Sequence, residues 1–228
     1  MRRYAVYFAP PAGSPLSRFA SEWLGRDAYT DTVLPRPAWC GLDPDRAAAI
    51  TASPRRYGFH ATLKAPFAAA EGVSQDDVQG AVAALAATRA PFEVRLKLGV
   101  LSGFVALVPA EASPALEALA GDCVRELDHL RAPLCAQEIA RRRKSPLSPE
   151  EDAHLLRWGY PYVLEQFRFH MTLTERLAEP ELGQVKAVLA EQAAALCAEP
   201  VRFDALAVFE QPDRQSPFVV TGRHPLGG

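Results

Sequence analysis

No apolar run in the chain approaches the ~18–20 residues needed to cross a bilayer, which excludes a membrane-spanning helix as an organising feature. The four cysteines (Cys40, Cys123, Cys135, Cys197) form no C-x-x-C pair and no Cys/His ligand cluster, so neither a redox motif nor a zinc module is encoded. Cys123 and Cys197 fall on apolar positions of predicted helices, where a free thiol behaves as a small hydrophobe, and reduced structural cysteines are expected. There is no basic excess either. A formal net charge of −2 argues against a broad electrostatic grip on long nucleic acid, and leaves room for a small phosphorylated ligand held by a few local cations. Met1-Arg2-Arg3-Tyr4 runs straight into a strand pattern instead of a signal-peptide core, so a cytoplasmic location is expected. What remains is an ordinary globular composition over 228 residues, enough for a real core in one large domain or two small lobes.

Histidine is scarce as well, and its distribution is informative. Of five histidines, two share one context: Phe59-His60-Ala61-Thr62-Leu63 and Phe169-His170-Met171-Thr172-Leu173. Two His-x-Thr-Leu tetrads would coincide by chance with a probability on the order of 10⁻⁴, treating positions as independent. Both copies read as strands. Period 2 puts His60, Thr62 and Lys64 on one face and Phe59, Ala61 and Leu63 on the other. In the second copy Arg168, His170, Thr172 and Thr174 oppose Phe167, Phe169, Met171 and Leu173. The apolar sets face a core and the polar sets a cleft. His129, His154 and His224 lack this context and are expected to be packed or solvated residues.

The surrounding elements repeat too. A strand from Tyr4 to Ala9, stopped by Pro10-Pro11, precedes helices opened by Ser14-Pro15 and by Asp43-Pro44. After the first motif strand (57–64), Ser74 caps a helix with Val78, Val82 and Leu85 as its core stripe. Strands over 92–98 and 104–108 then make a hairpin, and Ser113-Pro114 opens a further helix. The second motif is likewise followed by a helix (Leu182, Val185, Leu189, Leu196) and by strands over 201–209 and 218–221. An internal duplication is inferred, interrupted by an insertion. The expected organisation is a single bilobal domain over 1–228, with a first lobe over 1–130, an insertion or lid over 131–165, and a second lobe segment over 166–228. The insertion holds a helix ending in Arg141-Arg142-Arg143-Lys144, a capping box at Ser148-Pro149-Glu150-Glu151 and an aromatic turn, Trp158-Gly159-Tyr160-Pro161-Tyr162.

The paired tetrads, each on a strand followed by a helix and a hairpin, resemble the 2H phosphoesterase superfamily, which includes LigT-like RNA 2′,3′-cyclic phosphodiesterases and other cyclic-phosphate hydrolases. Tyr57-Gly58-Phe59-His60-Ala61-Thr62-Leu63-Lys64 and the 158–162 turn followed by Phe167-Arg168-Phe169-His170 look closest to a bacterial subgroup encoded with phosphonate-metabolism genes. The resemblance covers nearly the whole chain. It implies an α+β fold, bilobal and pseudo-two-fold, with two antiparallel sheets flanking a central groove and helices packed outside. It implies His60 and His170 as the catalytic pair, Thr62 and Thr172 as phosphate-binding hydroxyls, and no cofactor or metal. The insertion departs from compact LigT-like members and is the segment expected to choose the substrate.

The chemistry follows from the residues themselves. Opening a cyclic phosphodiester needs a base to deprotonate water and an acid to protonate the departing oxygen, roles that two imidazoles with pKa near 6.5 can share. The threonines, two residues along the same strand face, are placed to donate to the phosphoryl oxygens. Lys64 and Arg168 share the histidine faces and are candidate phosphate contacts, with solvated side chains as the alternative. Arg141 and Arg143 are candidates for clamping a second phosphate, against simple placement of cations at a helix C-terminus. Tyr160 is a candidate lid residue, against satellite core. The preferred substrate, by analogy with the subgroup, is a phosphoribosyl 1,2-cyclic phosphate from phosphonate breakdown. The alternatives are RNA 2′,3′-cyclic phosphate hydrolysis or 2′–5′ ligation on short RNA ends, and a non-catalytic phosphate-ligand or RNA-binding module.

Overall fold

The computed structural model describes residues 2–37 and 42–228, so the expectation for Cys40 lies outside the described residues. Local signals set most of the elements. After β1 (Arg3–Phe8), the Ser14 hydroxyl accepts from the Ser17 N–H and opens α1 (Pro15–Leu24). A small hairpin of β2 (Arg26–Asp27) and β3 (Thr32–Val33) leads to α2 (Pro44–Ile50), capped by Asp43, and to α3 (Ala52–Tyr57). The first motif strand, β4 (Ala61–Phe67), starts later than its alternation predicts. Tyr57 closes α3, and Gly58 at φ +74° ends that helix and turns the chain toward the sheet.

Ser74 and Asp77 form a capping box on α4 (Gln75–Ala87). The strands β5 (Phe92–Val94), β6 (Leu96–Leu101) and β7 (Phe104–Pro109) precede α5 (Pro114–Glu126). The 131–165 segment carries α6 (Ala136–Arg142) and α7 (Pro149–Trp158), the latter with the expected Ser148/Glu151 box. The second motif yields only two residues of strand, β8 (Met171–Thr172), before α8 (Glu181–Leu196), β9 (Val201–Phe203), β10 (Ala205–Gln211) and β11 (Val219–Pro225).

The α+β class with antiparallel pairing is as expected, and the topology goes further. Seven strands form one sheet in the order β11-β10-β1-β4-β8-β7-β6, because β8 pairs with both β4 and β7 and joins the two sides. Where two separate sheets are expected to flank a groove, hydrogen bonding therefore runs through the middle. The hairpins are exchanged between the sequence halves. β6–β7, from the first half, lies beyond β8, while β10–β11, from the second, lies beyond β1 and β4. The helices follow suit: α4 packs on β10 and β11, and α8 on β6 and β7. Neither side of the sheet is built from one contiguous stretch of chain.

The exchange also explains two strand breaks. The expected strands over 92–98 and 201–209 each interrupt, at Arg95 and Asp204, because their first residues pair with each other as β5–β9 before their continuations enter the main sheet. Phe203 sits at that crossing, stacked on Phe8 at 3.9 Å and on Phe92 at 5.1 Å, with Phe169 of the second motif at 5.5 Å. Aromatic contacts of this kind add to area burial, and the apolar residues of both motifs join the same core. Among the described cysteines Cys123 is buried, its thiol pushed up to about 12 by burial, Cys197 is half-buried and Cys135 is exposed. No helix among the described residues is long and apolar enough to cross a membrane.

Candidate active site

The join between β4 and β8 brings the repeated motifs together. Ala61 lies opposite Met171 in the antiparallel register. Partner numbers run in opposite directions along such a pair, so His60 faces Thr172 and Thr62 faces His170 across the joint. Ala61 and Met171 are fully buried, which leaves the two His–Thr pairs on the opposite, groove side. A pseudo-two-fold passes between Ala61 and Met171, and the histidines occupy diagonal corners. Strand spacing of ~4.8 Å and a rise of ~3.3 Å per residue put those Cα atoms roughly 8 Å apart, room for a phosphoryl group between the rings.

Each ring is held the same way. Nδ1 of His60 lies 2.9 Å from the Gly58 carbonyl, and Nδ1 of His170 lies 2.7 Å from the Arg168 carbonyl. A carbonyl oxygen only accepts, so Nδ1 carries the hydrogen and donates, leaving Nε2 of each neutral ring free to take a proton. The Thr62 hydroxyl is 3.4 Å from Nε2 of His60. Burial lowers the proton affinity of both rings. His60 falls to about 4, chiefly through burial with a smaller contribution from His170, against an opposing backbone hydrogen bond; His170 is lowered in the same direction by burial.

The surroundings are unequal even though the tethers match. His60 stacks on Tyr7 at 3.9 Å, with Tyr57 and Phe209 each at 6.0 Å. His170 has Phe104 at 5.5 Å. Both histidines and both threonines line one groove of about 1010 Å³, together with Arg141 and Tyr160 from the 131–165 segment.

Three other predicted contacts go elsewhere. Lys64 is 4% exposed, donates from Nζ to the Val124 carbonyl at 3.1 Å and lies 3.5 Å from Asp128. The cause is a β-bulge. The β1–β4 register steps from Tyr7 opposite Thr62 to Val6 opposite Lys64, so Leu63 is the extra residue and Lys64 turns inward beside it. Burial brings its pKa down to about 8, partly offset by Asp128. Arg143 pairs bidentately with Asp152 at 2.7 Å and fastens α6 to α7, so its neighbour Arg142 lines the groove instead. Arg168 contributes its carbonyl to His170, while its exposed side chain borders adjoining surface cavities.

Several groove residues escaped the sequence pattern. Tyr7 belongs to the groove wall yet is fully buried, and its hydroxyl has no hydrogen-bond partner among the described residues. Arg3 shares its strand face, since β1 runs in regular register against β10. Arg56, Arg142, Arg176 and Arg214 add further cations, with Glu175 as the acidic side chain of the lining. The only local signal for this set was the Arg141–Lys144 run; the others come from segments far apart in sequence. His129, His154 and His224 lie outside the groove, in contact with the Glu126 carbonyl, Glu165 and Gln79 respectively. Among the described residues no group of three or more His, Cys, Asp or Glu side chains is placed to hold a metal ion.

A family model described as a protein of unknown function (DUF1045) matches residues 62–219. Two curated relatives named ribose 1,5-bisphosphate phosphokinase PhnN are each 39% identical. The one from Janthinobacterium sp. (strain Marseille) aligns with 100% of this chain and 51% of its own length, and the one from Laribacter hongkongensis (strain HLHK9) with 95% and 50%. The chain thus spans about half the length of the curated relatives it matches. Among solved structures, E. coli LigT complexed with NADP+ aligns over 100% of this chain and 99% of its own, at 13% identity and a TM-score of 0.42. A crystal structure described only as a phosphoesterase aligns over the same shares at 14% identity and 0.42.

Proposed function

The chain belongs to the DUF1045 family, and we propose that it is a cyclic phosphodiesterase of the 2H type that opens a small sugar cyclic phosphate. The His–Thr square across the β4–β8 joint supports this function most directly. It presents two Nε2 atoms and two hydroxyls to one groove from a pseudo-two-fold frame. Binding alone does not call for two titrating groups held in matching tautomers.

In the proposed reaction Nε2 of His60 takes a proton from water as the water oxygen bonds to phosphorus. The bond from phosphorus to the ring oxygen breaks on the opposite side, and that oxygen takes the proton carried by Nε2 of His170. The Thr62 and Thr172 hydroxyls donate to the non-bridging oxygens, where negative charge is greatest. His60 serves as the base because its enclosure by Tyr7, Tyr57 and Phe209 keeps the ring neutral. His170, less enclosed, is the ring that a bound phosphate anion brings to its protonated form. One water is consumed, and exchange with solvent resets both imidazoles.

The relatives' names and the chemistry of ring opening support this choice of substrate. Those relatives are named for a kinase acting on ribose 1,5-bisphosphate. This chain, half their length, holds no G-x-x-x-x-G-K-[ST] phosphate loop. Adding water to 5-phosphoribosyl 1,2-cyclic phosphate with cleavage at the 2-oxygen leaves one phosphate on O1 and one on O5. That product is ribose 1,5-bisphosphate, the compound in the relatives' name. A hydrolase supplying it fits beside such a kinase, in the phosphonate-catabolic setting that the motifs resemble.

A substrate panel in EDTA tests this: ribose 1,2-cyclic phosphates, mononucleoside 2′,3′-cyclic phosphates and RNA ends. Turnover of the first class is expected; turnover only with an added divalent cation, or ligand binding without turnover, would overturn the mechanism. His60→Ala and His170→Ala should each lose about 10²–10⁴-fold in rate. With an ester of a good leaving group such as nitrophenolate, the His170 variant should recover and the His60 variant should not. The reverse pattern would exchange their roles.

A further inference from the structure

The end of the groove formed by β1 and α6 carries positive charge that the hydrolytic step does not use. Arg214, which also lines the groove, is committed to Glu138, and Arg143, outside it, to Asp152. Arg3, Arg141 and Arg142 are in no carboxylate ion pair among the described residues, although all three line the groove. Arg3 is held in place rather than neutralised. Its Nε donates to Gln211 Oε1 at 2.8 Å, and Gln211 in turn donates to the Ser216 carbonyl at 2.7 Å. Its guanidinium lies 5.4 Å from the Phe218 ring centroid. Burial lowers its proton affinity, and the like charges of Arg214 and Arg141 act in the same direction. Arg142 is braced over the Tyr160 ring at 4.8 Å.

Beside these cations stands a second, independent feature. Tyr7 is a fully buried residue of the groove wall, and its hydroxyl, closed to solvent, has no hydrogen-bond partner among the described residues. A buried hydroxyl left unpaired is costly, so its retention at a groove wall marks a contact that something entering the groove completes. Tyr7 stacks on His60, and Arg3 lies four residues away on the same strand face. Strand rise puts their Cα atoms about 13 Å apart, a distance the long arginine side chain shortens to the span of a sugar.

We propose that Arg3, Arg141 and Arg142, together with the Tyr7 hydroxyl, form a second anion subsite that holds a phosphomonoester on the substrate at a sugar's distance from the bond being cleaved. The subsite deepens the cyclic-phosphodiesterase function and rests on it. Planar guanidinium groups suit phosphate oxygens, and three of them beside an oriented phenol select a dianionic phosphomonoester over a neutral hydroxyl. The 131–165 segment then acts as a specificity element, since α6 brings Arg141 and Arg142 to a groove whose reacting groups come from β4 and β8.

The test compares ribose 1,2-cyclic phosphate with and without a 5-phosphate, alongside isothermal binding of ribose 5-phosphate, a probe that cannot be hydrolysed at a cyclic ester. The wild-type enzyme should favour the phosphorylated compound by ~10²-fold or more in kcat/KM, as expected for several charge-assisted hydrogen bonds. Arg141→Ala, Arg142→Ala and Tyr7→Phe should each shrink that preference roughly tenfold or more, mainly through KM. Tyr7→Phe keeps the ring stacked on His60 and so isolates the hydroxyl. Equal kcat/KM for the two compounds would overturn the subsite while leaving the hydrolase function standing. Binding of ribose 5-phosphate that Arg141→Ala abolishes, with neither cyclic compound turned over, would uphold the subsite and sink the hydrolase function.

Discussion

Protonating His60 should destabilise the fold by an amount the structure sets. The ring is ordinarily half-protonated near pH 6.5, and here it falls to about 4 because it is enclosed against Tyr7, Tyr57 and Phe209. A depressed folded-state pKa means that the unfolded chain binds the proton first as pH drops. The stabilisation that His60 contributes is therefore complete above about pH 6.5 and is lost as pH falls through the folded value. The fall from 6.5 to about 4 corresponds to about 3.4 kcal/mol over the whole window, and about 2.5 kcal/mol of it is gone by pH 4.5. His60 borders an open groove, so solvent screening makes these upper values. The comparison is His60→Asn, whose side-chain amide can still donate to the Gly58 carbonyl but does not titrate. Urea unfolding at pH 7.5 and 4.5 should show the wild type losing up to about 2.5 kcal/mol more than the variant. Carboxylates common to both proteins cancel in that difference. The same pH dependence in both, within about 0.5 kcal/mol, would refute the burial of a neutral imidazole at this position.

Three further outcomes follow from the same geometry. The pH profile of kcat/KM should rise through about pH 4 as His60 loses its proton, and fall through a value below the ordinary 6.5 as His170 does; a flat profile between pH 4 and 8 would contradict the acid–base pair. Lys64→Met should leave turnover unchanged and stability within about 1 kcal/mol of wild type or higher, because a buried charge is replaced by a side chain of similar volume and Asp128 keeps Arg131; a large loss of activity would return Lys64 to the site. Gly58→Ala should cost about 1–3 kcal/mol by thermal or urea unfolding and depress turnover as well, since Gly58 has φ +74°, its added Cβ would collide with the Ala28 side chain, and its carbonyl orients His60. Unchanged stability in that variant would mean that the bend before β4 tolerates a side chain.

Much of the local structure could be read directly from residue order. Ser14, Asp43, Ser74, Ser113 and Ser148 all cap helices as their spacing predicts, because a side-chain oxygen two or three residues before an unpaired N–H acts over a single turn. The burial of Phe59, Ala61 and Leu63 opposite His60 and Thr62 likewise follows from strand period 2. Lys64 is where that period fails. A bulge depends on how β4 meets β1, and nothing within the tetrad announces it. Arg143 and Arg142 were indistinguishable within a run of cations until Asp152 engaged one and Tyr160 the other.

The chain by itself determined the repeated His-x-Thr-Leu motif, the helices with their caps and the antiparallel α+β class, because each depends on interactions between residues a few positions apart. Tertiary structure alone decided that the two motifs meet in one sheet, that the hairpins are exchanged between halves, and that Arg3, Tyr7 and the α6 arginines face the same groove as His60 and His170. Those facts rest on pairings between segments a hundred or more residues apart, such as Ala61 with Met171 and Arg3 with Gln211. Sequence periodicity encodes which face of a strand is buried; only the packed core selects the strand it is buried against.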